Sequence, residues 1–85
     1  MKKIANKYIV TEVFGWYGAS AIILAYALVS FELVTAGSWI YQLLNLTGAL
    51  GIITTSLTKK DYQPAVLNIF WLIIAAAAIT RIILL

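Results

Sequence analysis

Three long apolar runs, separated by short polar breaks, make up most of this chain. They cover residues 13–31, 39–57 and 64–84, and none has a charged residue in its central turns. Each is roughly 19 to 21 residues long, about 30 Å at ~1.5 Å per residue, which is the thickness of a bilayer's hydrocarbon core. Backbone amides cannot be left unpaired in hydrocarbon, so runs of this kind predict helices rather than isolated strands. The breaks, 32–38 and 58–63, leave room only for antiparallel neighbours. Ser38 can cap the second helix through its hydroxyl, and Pro64 suits the first turn of the third. The expected fold is all-α, an integral membrane three-helix bundle formed by a single domain over 1–85.

The polar positions inside the runs assign faces. At about 100° per residue, Trp39, Leu43, Leu46, Leu50, Ile53 and Leu57 share one side of the second run. Tyr41, Asn45, Thr47, Gly48, Gly51, Thr54, Thr55 and Thr58 share the other. The first side predicts a lipid face, the second a face toward protein or water. The first run offers Gly15, Gly18, Ala19, Ile22, Ala25 and Tyr26, with small residues at the four-residue spacing that lets helices approach closely. In the third, Asn68, Trp71, Ala75 and Ala78 form a stripe. Gly15, Gly18, Ala19, Gly48, Gly51, Ala75 and Ala78 are the expected helix-packing positions.

Composition changes the picture in one respect: it names the solvent. Of 85 residues, 64% are hydrophobic and 11% charged, with mean hydropathy +0.99. A soluble domain this small buries only about 60% of its unfolded surface, too little to hide so much apolar side chain. Lys2, Lys3 and Lys7 precede the first run, and Lys59 and Lys60 lie between the second and third. By the positive-inside rule these lysines put the N-terminus in the cytoplasm and the C-terminus outside the inner (plasma) membrane. Lys2 and Lys3 before an apolar run that leads to Val34-Thr35-Ala36 resemble a secretory signal, but the run is too long for a typical signal core. Arg81, near the outer end of the third run, is expected to snorkel or to pair with Glu32. Glu12 and Asp61 read as interfacial charges. No basic face with interleaved aromatics exists, so nucleic acid is not an expected partner.

Candidate chemistry is sparse. There is no cysteine and no histidine, so disulfides, thiolate metal sites and the common general bases are absent. Three scattered acids assemble no dyad. The expectation is a non-enzyme with no metal and no cofactor. What remains is polar groups at membrane depth, where an unsatisfied amide costs several kcal/mol. Counting depth along the runs puts Tyr26 beside Asn45, and Asn68 beside Thr54 and Thr55. Two uses compete for these groups: interhelical glue, and a ligand site lined by Asn68, Trp71, Asn45, Thr54, Thr55 and Tyr26. An indole one turn from an amide suits a small polar solute.

The string Gly15-Trp16-Tyr17-Gly18, Leu24-Ala25-Tyr26, Tyr41-Gln42-Leu43-Leu44-Asn45 with Gly48 and Gly51, and Val66-Leu67-Asn68 with Trp71 resembles a family of small uncharacterised bacterial three-helix inner-membrane proteins. The resemblance runs from about Phe14 to Arg81 and implies no established activity. More distantly, the chain is similar to the SemiSWEET sugar transporters in length, helix count, the tyrosine and glycines of the second run, and an asparagine one turn into the third. That likeness implies a parallel homodimer with Asn68 as the solute-binding amide. The Pro-Gln hinge of that family's first helix is replaced here by Val29-Ser30-Phe31. The tryptophan of its second is missing near Gly51 and Ile52. The expected function is a homodimeric half-transporter for a small polar solute. The alternative is a structural or accessory protein that docks its polar helix face on a partner.

Overall fold

A computed structural model describes the backbone from Lys2 to Leu85 and the side chains from Tyr8 onward; Lys2, Lys3 and Lys7, and with them half of the topology signal, lie outside the described side chains. Three helices follow one another: α1 (Lys2–Ser30), α2 (Trp39–Thr58) and α3 (Tyr62–Leu84). Among the described residues there is no strand. Spans long and apolar enough to cross a membrane cover Tyr8–Ser30, Trp39–Thr58 and Tyr62–Leu84. The expected spans are all present, with α1 beginning well before residue 13.

Local sequence sets the ends. The Ser38 hydroxyl caps α2 by accepting the Tyr41 backbone N–H at 3.3 Å, as expected of a serine there. α1 and α2 both close with the same six-residue wrap. Leu33 N–H reaches the Leu28 carbonyl and Glu32 N–H that of Val29; Asp61 N–H reaches Ser56 and Lys60 N–H reaches Leu57. The wrap needs one left-handed residue, usually glycine. Here Glu32 (φ 60°) and Lys60 (φ 56°) occupy it. Glu32 is exposed in this turn and, among the described residues, forms no ion pair with Arg81. It is committed to reversing the chain instead.

Packing runs α1–α2–α3, with α2 in contact with both neighbours and, among the described residues, α1 and α3 not in contact with each other. The stripe of α2 that meets α1 holds Gly48, Gly51 and Thr55. Asn45, Ala49 and Ser56 are buried on a second stripe toward α3. The two stripes lie roughly 100° apart on the helical wheel, so α1 and α3 pack on different sides of α2.

Small residues fill the interior and large ones cover the outside. Ala21, Ala25, Ala49, Ala65 and Ala75 are buried with Asn45, Ser56 and Asn68, and no large side chain is fully buried. Exposed positions include Ile23, Leu24, Phe70, Ile74 and Ile83. A water-soluble fold does the reverse. In lipid the outside gains nothing from polarity, and helices associate through close van der Waals contact between small residues.

Candidate functional site

The α1–α2 seam brings main chains together. A Cβ added at Gly18 would overlap the Gly48 carbonyl, and one at Gly51 the Phe14 carbonyl. At Gly15 it would sit 2.6 Å from the Thr55 methyl. Gly15, Gly18, Gly48 and Gly51 therefore leave no room for a Cβ at this seam. On α1 the buried stripe runs through Gly18, Ala21 and Ala25; Ala19 is only half-buried and stands to one side. Two polar contacts cross this seam. Thr47 donates to the Leu43 carbonyl at 2.9 Å, so the Tyr17 hydroxyl, 2.7 Å from Thr47 Oγ1, supplies the proton between them. At the lysine-bearing end, Lys59 forms an ion pair with Glu12.

The α2–α3 seam uses side chains. Asn45, 4% exposed, donates its amide to the Tyr41 carbonyl at 2.8 Å, and its Oδ1 accepts the Trp71 indole N–H at 2.8 Å. This spends both ends of the amide. A recess of about 140 Å³ opens beside the pair, lined by Tyr41, Gln42, Asn45, Trp71, Ile74 and Ala75. Asn68, 7% exposed, makes the matching bond to its own helix, Nδ2 to the Pro64 carbonyl at 2.9 Å. Among the described residues no donor reaches its Oδ1.

These bonds differ from the depth pairings expected for the asparagines. Tyr26 is 71% exposed and does not bond Asn45; the tryptophan takes that carbonyl because the indole of α3 crosses to α2, whereas α1 approaches α2 on another stripe. Asn68 does not bond Thr54 or Thr55, because Thr55 faces α1 and Thr54 is exposed. The expected protein-facing side of α2 is thus too wide. Asn45, Gly48, Gly51 and Thr55 turn inward, but Thr54 does not, and its hydroxyl bonds the Leu50 carbonyl at 2.8 Å. Thr58 likewise bonds the Thr54 carbonyl at 2.8 Å. A threonine that bonds back to its own helix needs no partner. The lipid face fares better: Trp39, Leu43, Leu50 and Leu57 are exposed, with Leu46 and Ile53 half-buried.

Of the six expected ligand residues, the structure joins Asn45 and Trp71 in one recess. Ala75 lines that recess, and Ala78 lines another of about 610 Å³ with Gln42 and Arg81 at the far end of α3. Thr55 lines a third, of about 240 Å³, with Glu12, Gly15, Trp16, Ala19 and Lys59. Thr54 belongs to a groove of about 550 Å³ on the α1–α2 face with Tyr17 and Thr47. Sequence reasoning missed the Glu12–Lys59 pair. The signal was present, since each residue lies just beyond the end of an apolar run and antiparallel runs bring those two ends together.

A family model matches residues 11–84. The chain belongs to that family, which is uncharacterised. The match takes in both seams, from Glu12 to the last turns of α3. No curated protein and no solved structure matches the chain. The likeness to SemiSWEET transporters finds no support in these comparisons.

Proposed function

We propose that the protein is a homodimeric half-transporter of the inner (plasma) membrane for a small polar solute, with its N-terminus in the cytoplasm. One observation carries the reading: α1 and α3 each pack on α2 but not on one another, so one copy holds half a passage. Two copies about a two-fold axis can enclose a path that one copy cannot, and closed dimers are the commonest assembly. Polar groups within the spans support it, because lipid has no use for them: Asn45 and Trp71 bound together beside a recess, and Asn68, whose carbonyl oxygen meets no donor among the described residues. A site between helices suits access that opens to one side and then the other as the helices rock.

The test is uptake into liposomes carrying the purified full chain, across a panel of sugars, amino acids and vitamins. The expected result is saturable uptake of one class, reduced at least tenfold in Asn45→Leu and Trp71→Phe. No uptake of any solute, with binding unchanged in both variants, overturns the reading.

A second reading rests on a different observation. Asn45 and Trp71 already satisfy one another, and three threonines of α2 bond their own helix. Groups spent in this way suit an accessory protein that docks a helix face on a partner. Crosslinking in native membranes separates the two: one heterologous partner favours this reading, a lone homodimer the first.

A further inference from the structure

Thr55 is the odd threonine of α2. Thr47, Thr54 and Thr58 each donate to the carbonyl four residues earlier. The Thr55 hydroxyl is buried and, among the described residues, has no hydrogen-bond partner. A buried unpaired hydroxyl is costly, and the usual escape is the back-bond its neighbours make. Thr55 instead packs against Gly15 of α1, methyl nearest, and its side chain lines the recess of about 240 Å³ bounded by Glu12, Gly15, Trp16, Ala19 and Lys59. One turn away at the recess edge sits the Glu12–Lys59 ion pair, with both partners part-exposed at 39% and 51%. The exposed Trp16 indole forms a wall.

We propose that this recess binds a zwitterionic group carrying an ammonium and a phosphate, of the phosphoethanolamine kind. Inserted at the pair, the ammonium meets Glu12 and the face of Trp16, and the phosphate meets Lys59. One ion pair becomes two, so no charge is stranded, which is the condition for charges to leave water. An ammonium over an indole gains further attraction. Thr55 completes the site when its side chain rotates away from Gly15 into the recess and donates its unspent proton to a phosphate oxygen. A purely anionic group would leave Glu12 facing like charge, and a purely cationic one would leave Lys59 unpaired. The site lies at the lysine-bearing end of the helices, apart from the Asn45–Trp71 recess, and stands whether or not the protein transports anything.

Such a group comes from two sources, a phospholipid head or a free solute, and the experiment separates them. The purified full chain is presented with phosphatidylethanolamine or phosphatidylglycerol and retention is read by native mass spectrometry, with soluble O-phosphoethanolamine as competitor. The wild type is expected to retain phosphatidylethanolamine about tenfold better than phosphatidylglycerol, a ratio that one charge-assisted contact supplies. Glu12→Gln should erase that preference. Thr55→Val should weaken retention about three- to tenfold without lowering the melting temperature, because the hydroxyl holds nothing in the fold. Retention that the competitor does not displace identifies the lipid, and binding of the competitor alone identifies a free solute; either supports the site. Equal retention of both lipids with no competitor binding, or a lipid preference that Thr55→Val leaves untouched, overturns it.

Discussion

The two seams of this molecule solve one problem by opposite means. Between α1 and α2 the helices meet through main chain, with Gly18 against the Gly48 carbonyl and Gly51 against that of Phe14. Between α2 and α3 an indole reaches across to an amide. In lipid there is no hydrophobic drive to hold apolar helices together, so adhesion comes from packing density and polar contacts. The glycine seam maximises the first and is intolerant of added atoms. The side-chain seam depends on the second, keeps a recess beside its hydrogen bond, and can rearrange by a rotamer change. If one helix moves against α2 during function, that contrast selects α3.

Gly51→Val breaks the comparison most directly. The new side chain has backbone in front of it, which cannot step aside as a flexible side-chain tip can, so α1 must move away. The expected loss is about 2–3 kcal/mol, the upper range for overpacking, read as a lowered midpoint in unfolding of the purified protein. A neutral result would mean that the seam is looser than the close approach implies.

Next comes the polar contact of the other seam. Trp71→Phe keeps an aromatic ring but removes the proton that Asn45 Oδ1 accepts. A double-mutant cycle with Asn45→Leu should give a coupling of about 0.6 kcal/mol and no more than about 1.7 kcal/mol, the range for interhelical bonds in membranes. A coupling of zero would reduce the α2–α3 seam to apolar packing.

Not all of this was readable in advance. Long apolar runs punctuated by lysines announce three helices because lipid permits few alternatives. The inward turn of Asn45, Gly48 and Gly51 was legible for the same reason, since an amide and bare backbone have no place against acyl chains. Thr54 misled, because a hydroxyl can satisfy itself on its own helix and so marks no face. Tyr26 misled differently: depth along a helix is countable, but the side on which the next helix settles is not. Pairings such as Asn45–Trp71 and Tyr17–Thr47 depend on that angle and on how far a long side chain reaches. They lie beyond periodicity.

The connections offer a gain rather than a loss. Lys60 holds a left-handed backbone at the end of α2, where a side chain costs about 1 kcal/mol relative to glycine. Lys60→Gly should therefore stabilise the α2–α3 turn by about 1 kcal/mol, seen as a raised unfolding midpoint. Because the change also removes a positive charge, Lys60→Ala serves as the control and should not stabilise. Equal effects from both would assign the gain to charge instead of backbone.

The smallest effect belongs to the ion pair at the end of the glycine seam. Glu12 and Lys59 are both part-exposed, so water and salt screen their attraction. Glu12→Gln should cost about 0.2–1 kcal/mol at low ionic strength and less in concentrated salt, where the screening length falls to about 3 Å at 1 M. The α1–α2 contact is then held chiefly by close-packed glycine, with the charges adding only at its mouth. A loss larger than that of Gly51→Val, persisting in high salt, would reverse the ranking within this seam. It would make the charge pair, rather than the main-chain contact, the element that keeps α1 on α2.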